Sequence, residues 1–94
     1  MLVAGATGPD EARALRALAP KALFLVPGYG AQGAGAADAM AGFVHGEAGL
    51  SGGLVNASRS VTFPKSADGA NTLDDWRASI TEAIDVAQAD LRSV

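Results

Sequence analysis

Two short segments concentrate the residue types that could do chemistry. The first is Val26-Pro27-Gly28-Tyr29-Gly30-Ala31-Gln32-Gly33, rich in glycine and carrying one side-chain amide, that of Gln32. Glycine admits positive φ and lets backbone N–H groups approach a ligand closely. In a loop that leads toward a helix, such N–H groups suit a phosphate, and Gln32 adds a donor without adding charge. The second segment is Asn56-Ala57-Ser58-Arg59-Ser60. A guanidinium grips a phosphate through two hydrogen bonds, and the Ser58 hydroxyl is a further donor beside Arg59. Without a ligand, the first segment is a tight turn and the second a loop with a surface arginine. Both readings stand at this point.

Other candidates lead less far. Residues 28 to 33 also satisfy G-x-G-x-x-G, but the dinucleotide fingerprint needs an acidic residue about 20 positions on, at the end of the next strand. That strand ends at Asn56, and Glu47 precedes it. His45 is the single histidine and there is no cysteine, so no zinc site and no thiolate chemistry is expected. A capping or surface role is expected for His45. Asn56-Ala57-Ser58 fits the glycosylation pattern by chance, since no basic region precedes the apolar N-terminal stretch as in a secretory signal. Trp76 is expected in the core, and Asp74 and Asp75 at a helix start.

The elements that position these loops follow from the pattern of apolar residues. Leu2–Gly5, Ala22–Val26 and Gly53–Asn56 are continuous apolar runs, which suits parallel strands covered on both faces. A helix should begin near Pro9, whose missing N–H costs nothing there, with Asp10 and Glu11 favoured by the helix dipole. Ala12, Leu15 and Leu18 form its apolar face and Pro20 ends it. A second helix is expected over Ala36 to Val44, bearing Met40, Phe43 and Val44, with His45 at its end. A third has Thr72 and Asp75 at capping-box spacing. Its apolar stripe is Leu73, Trp76, Ile80, Ala83, Ile84, Ala87 and Leu91. Alternation of strand and helix predicts an α/β fold of three βα units with right-handed crossovers. Neighbouring parallel strands bring the loops of Gln32 and Arg59 toward one anion.

The chain has 94 residues, a length that suits one small domain or part of one. Apolar residues make up 49% and charged residues 18%, which excludes a disordered tail. Aromatics reach only 5%, so the core is built from small side chains and buries little area per residue. A net charge of −3 with no basic patch argues against a nucleic-acid partner or an anionic membrane surface. No apolar run approaches the roughly 20 residues of a membrane span. The lack of cysteine fits a reducing, cytoplasmic setting.

In this order, the loops resemble those of orotidine 5′-phosphate decarboxylase, in the subgroup with a Pro-Gly-x-Gly-Ala-Gln-Gly loop. Gly5-Ala6-Thr7, followed by Pro9 and acidic residues, is similar to the turn after the sixth strand of that family. Pro27-Gly28-Tyr29-Gly30-Ala31-Gln32-Gly33 resembles the loop after the seventh, and Asn56-Ala57-Ser58-Arg59 the segment after the eighth. Ser60 departs from the pattern, which has glycine there. The resemblance implies that residues 1–94 are the C-terminal part of a single (β/α)8 barrel domain, its last three βα units. It implies a substrate phosphate held by Gln32, Arg59 and Ser58, with the backbone at Gly30 and Gly33. The ligand would be orotidine or uridine 5′-monophosphate.

The family uses no metal and no organic cofactor. It stabilises a carbanion at the pyrimidine C6, and a lysine delivers the proton. The Asp-x-Lys-x-x-Asp motif that carries this step is absent here, and Lys65 with Asp68 does not supply it. The isolated chain is therefore expected to be inactive, and to self-associate or pack against the missing barrel half. The alternative is a stand-alone phospholigand-binding or structural α/β module without catalysis, with a dinucleotide enzyme third.

Overall fold

Three parallel strands carry the architecture. β1 (Leu2–Val3), β2 (Phe24–Val26) and β5 (Gly53–Val55) form one sheet in the order β1-β2-β5. The computed structural model describes residues 1–30 and 33–94. Leu2 pairs with Phe24 and Phe24 with Gly53, while Val3, Leu25 and Leu54 lie in register on the next row. Between β1 and β2 runs α1 (Pro9–Leu18), which starts at a proline and has Asp10 and Glu11 in its first turn. After β2 comes α2 (Ala36–Ala39), and after β5 two short turns lead to α3 (Leu73–Arg92). The α/β class with parallel strands is thus as the sequence implies.

The core is small in both senses. Among the described residues it consists of Ala4, Ala6, Ala12, Phe24, Val26, Tyr29, Ala34, Ala36 and Ala39, and Phe24 is the one large side chain of these that is fully enclosed. Phe24 and Val26 point to the helical side of the sheet. The opposite row is largely uncovered, with Val3 66% and Leu54 58% exposed. The accessible surface is 6130 Å², against about 5,000 Å² for a compact monomer of this mass. The radius of gyration is 14.7 Å, against about 12 Å. The exposures and the surface area describe a sheet covered on one side only, where the continuous apolar runs lead one to expect cover on both faces.

Arg16 ties the sheet to its helices. Its Nε donates to the Gly42 carbonyl at 2.7 Å, Nη1 to Ala22 at 2.6 Å, and Nη2 to Gly52 at 2.9 Å. Longer Nη1 contacts reach Ala19 at 3.2 Å and Pro20 at 3.3 Å. The guanidinium carbon also lies 4.0 Å from the centre of the Phe24 ring. One side chain thereby gathers the end of α1, the entry to β2, the exit of α2 and the entry to β5.

Several expectations are corrected. The second helix stops at Ala39, and the chain instead makes an antiparallel hairpin, β3 (Val44–Gly46) with β4 (Gly49–Ser51). Glycine disfavours helix continuation, and Gly42 is held where a Cβ would lie 2.8 Å from the Phe24 ring. His45 is accordingly an exposed strand residue opposite Leu50 and not a helix terminus. Leu18 is 84% exposed and does not join the face of α1 that packs. Trp76 is 45% exposed and is not core. Of α3, Ala87 and Leu91 pack against the core cluster, and the helix otherwise rests on the turns after β5.

Candidate anion-binding site

Because β2 and β5 are parallel neighbours, the loops that follow them leave from the same end of the sheet. Backbone bonds extend that pairing past the strands. The Asn56 N–H donates to the Val26 carbonyl at 2.9 Å, and the Ala6 N–H to the Pro27 carbonyl at 2.8 Å. Gly5-Ala6-Thr7, Pro27 and Asn56 are therefore fastened side by side before the loops diverge.

The glycine loop then folds back on itself. Gly30 has φ +78°, a conformation that favours glycine. Its N–H donates to the Ala34 carbonyl at 3.0 Å, and the Gly33 N–H donates to the Gly30 carbonyl at 3.0 Å. Both amides are thus engaged in shaping the turn. Gln32 lies outside the described residues. From the other side, a π-helical turn over Ser58–Thr62 brings Ser60 against the glycine loop: a Cβ on Gly30 would lie 3.6 Å from the Ser60 Oγ.

Where the two loops meet there is an open concavity of about 410 Å³, lined by Gly30, Arg59, Ser60, Phe63, Pro64 and Lys65. The structure thus brings Gly30 and Arg59 onto one surface. Ser58 faces a neighbouring hollow with Asn56 and Val61, and its hydroxyl exchanges hydrogen bonds with the Asn56 side chain at 3.1 and 3.3 Å. That pairing staples the start of the turn and leaves the hydroxyl partly occupied. Gly33 is exposed, with open space where a side chain would be.

Tyr29, between two glycines of the loop, is buried and reaches α3. Its hydroxyl donates to the Asp90 carboxylate at 2.6 Å. Burial, followed by that hydrogen bond and the carboxylate's charge, pushes the Tyr29 phenol up to about 12. The phenol therefore stays protonated and the loop stays moored to the helix at ordinary pH. Sequence reasoning missed this link, because nothing in local pattern pairs residues 61 positions apart. It also missed Lys65 on the Arg59 concavity. Ser60 had a signal, as the position where the glycine of the family pattern is replaced. Among the described residues, no three His, Cys, Asp or Glu side chains group as a metal site would require.

A parallel sheet with loops leaving one end of neighbouring strands places the chain in the α/β class, in which ligands bind beyond the strand ends. Sequence comparison narrows the class. The chain is 52% identical over 66 residues to an orotidine 5′-phosphate decarboxylase of Deinococcus radiodurans, covering 70% of this chain and 23% of that protein. It is 51% identical over 75 residues to that of Haloarcula marismortui, 79% of this chain and 25% of the relative. For Rhodopirellula baltica the identity is 38% over 84 residues, 82% of this chain and 27% of the relative. The sequence is that of a segment of the orotidine 5′-phosphate decarboxylase family, and it spans about a quarter of the length of these relatives. No family model matches the chain, and no solved structure matches it. Among the described residues, no helix is long and apolar enough to cross a membrane.

Proposed function

We propose that the chain forms the phosphate-binding end of an orotidine 5′-phosphate decarboxylase, as the C-terminal three βα units of a (β/α)8 barrel. The observation that carries this reading is the identity of 52% over 66 residues with a decarboxylase. The geometry agrees with it, because the glycine loop after β2 and Arg59 after β5 share one concavity. In (β/α)8 barrels the loops after the last two strands frequently build the phosphate site. Arg59 supplies the charged grip on the 5′-phosphate of orotidine or uridine 5′-monophosphate, and Gln32 belongs to the same loop as Gly30. Gly30 and Gly33 shape that loop, and Ser58 fixes the turn before Arg59. Holding the phosphate lets binding energy far from the pyrimidine lower the barrier at C6.

The chain holds no Asp-x-Lys-x-x-Asp motif, so the carbanion-stabilising charges and the proton donor come from elsewhere in the barrel. The uncovered row Val3, Leu25 and Leu54 faces the barrel interior in this reading, and the free rims of β1 and β5 pair with further strands. Packing against such strands, or against a second copy, covers the excess surface, and the setting is cytoplasmic.

Titration of the chain with uridine 5′-monophosphate and with uridine tests this. The monophosphate is expected to bind more tightly, and Arg59→Ala to weaken it roughly ten-fold or more, as for loss of a charge-assisted contact. Equal affinity for the two ligands, or an Arg59→Ala variant that binds as well as the parent, refutes the assignment. Orotidine 5′-monophosphate should not be decarboxylated by the chain alone, and turnover would show that the motif is dispensable.

A further inference from the structure

We propose that Lys65 is a second cation of the Arg59 concavity, which fits the site to a doubly charged phosphate monoester in preference to a singly charged anion. This rests on the phosphate-binding reading above. The chain as a whole is acidic, with ten Asp and Glu against seven Lys and Arg. The concavity inverts that balance: its lining contains Arg59 and Lys65 and no carboxylate among the described residues.

Among the described residues, the cations whose side chains have hydrogen-bond partners are Arg13 and Arg16, both of α1. Arg13 pairs with Asp10 at 2.8 Å. Arg16 spends its N–H groups on backbone carbonyls. Among the described residues, Arg59 and Lys65 donate no side-chain hydrogen bond and join no ion pair. Two cations that share a hollow without a partner among the described residues repel one another, and a dianion relieves both. The residues between them supply an exposed apolar wall at Phe63, which lowers local screening, and a hydroxyl at Ser60 that can donate to the same anion.

Lys65 is also held in place by its backbone. Pro64 before it is buried, and the short 3-10 turn Lys65–Ala67 closes with the Ala67 N–H on the Pro64 carbonyl at 3.0 Å. The Ser79 hydroxyl of α3 shares its proton between the Asp75 carbonyl at 3.1 Å and the Ser66 carbonyl at 3.2 Å, which sets the turn against the helix. The two cations complement each other chemically. Arginine offers a planar fork with fixed geometry, and lysine a mobile point charge that seeks remaining oxygen atoms.

The test uses the chain itself with uridine 5′-monophosphate, its singly charged 5′-methyl ester and uridine as probes, against Arg59→Ala and Lys65→Gln. Lys65→Gln is expected to weaken the monophosphate about five-fold, the methyl ester less and uridine not at all. In the unaltered chain, the Lys65 side-chain NMR signals should shift on titration with the monophosphate, a reading that needs no variant. If Arg59→Ala weakens binding while Lys65→Gln stays within about two-fold of the parent and the Lys65 signals do not move, the Lys65 assignment falls and the phosphate reading survives. Should Lys65→Gln weaken uridine as much as the monophosphate, its role is structural and the proposal falls. A monophosphate that does not bind, or that binds equally without either cation, overturns both.

Discussion

Removing the Arg16 side chain should cost more stability than any other single surface-accessible change. In Arg16→Ala three short charge-assisted bonds disappear, to Gly42 at 2.7 Å, Ala22 at 2.6 Å and Gly52 at 2.9 Å. Hydrogen bonds from a charged donor contribute about 1.5–3 kcal/mol each, and bonds that share one donor group do not add fully. Water can reach some of the freed carbonyls, since Arg16 is only half-buried. A loss of about 3–5 kcal/mol follows, a large share of the 5–15 kcal/mol that holds a typical domain together. Arg16→Lys keeps the charge but replaces the fork with a single ammonium that cannot span the carbonyls of Ala22, Gly42 and Gly52, and should lose about 2 kcal/mol. Arg13→Ala is the control. Its bond to Asp10 is an exposed pair three residues apart and should be worth less than about 0.5 kcal/mol. Urea unfolding followed by far-ultraviolet circular dichroism measures all three. An Arg16→Ala midpoint within 1 kcal/mol of the parent, about the worth of one ordinary bond, would refute the claim that this side chain organises the sheet.

Two further changes probe the contacts around that centre. Gly42→Ala places a methyl 2.8 Å from the Phe24 ring and 3.2 Å from the Ala12 carbonyl, and should destabilise by about 1–3 kcal/mol in the same assay. Tyr29 bears on alkaline stability. Its phenol is raised from 10.0 to about 12 in the fold, so the folded state holds the proton more tightly than the unfolded chain does. That contribution is complete below pH 10 and is lost as pH climbs from about 10 to about 12. Tyr29→Phe, which removes both the bond to Asp90 and the titrating group, should flatten the stability profile across that interval. A parent and variant with parallel profiles there would contradict the mooring of the loop.

Much of the frame could be read from residue types, because local signals carry it. Pro9 with two acidic neighbours starts α1, and the Thr72 side chain accepts from the Asp75 N–H at 3.1 Å, as its spacing implies. The three apolar runs became the three parallel strands, so the glycine loop and the Arg59 turn leave one end of the sheet, while the expected meeting of Gln32 with Arg59 lies outside the described residues. The hairpin of β3 and β4 escaped notice because its alanine-rich approach has helical composition, while the features that end α2 are tertiary. Gly42 is required by the ring of Phe24, 18 positions away in sequence. Trp76 has the correct phase on α3 to be buried, but periodicity says only which way a side chain faces, not whether a surface is there to meet it. Arg16 was invisible for a plainer reason. Its acceptors are main-chain oxygens, and every residue has one.

The way α3 sits has a kinetic corollary. Its 20 residues include none that is buried, and it rests on the turns after β5 and on α2, with Ala87 and Leu91 against the core cluster and the Tyr29 phenol bonded to Asp90. A rod that leans on a layer without entering it can lift away while the layer survives. Amide protons of α3 should then exchange through that partial opening, and those of β2 only when the whole molecule comes apart. Since Tyr29 adjoins Gly30, which lines the Arg59 concavity, each departure of the rod should slacken one wall of that concavity.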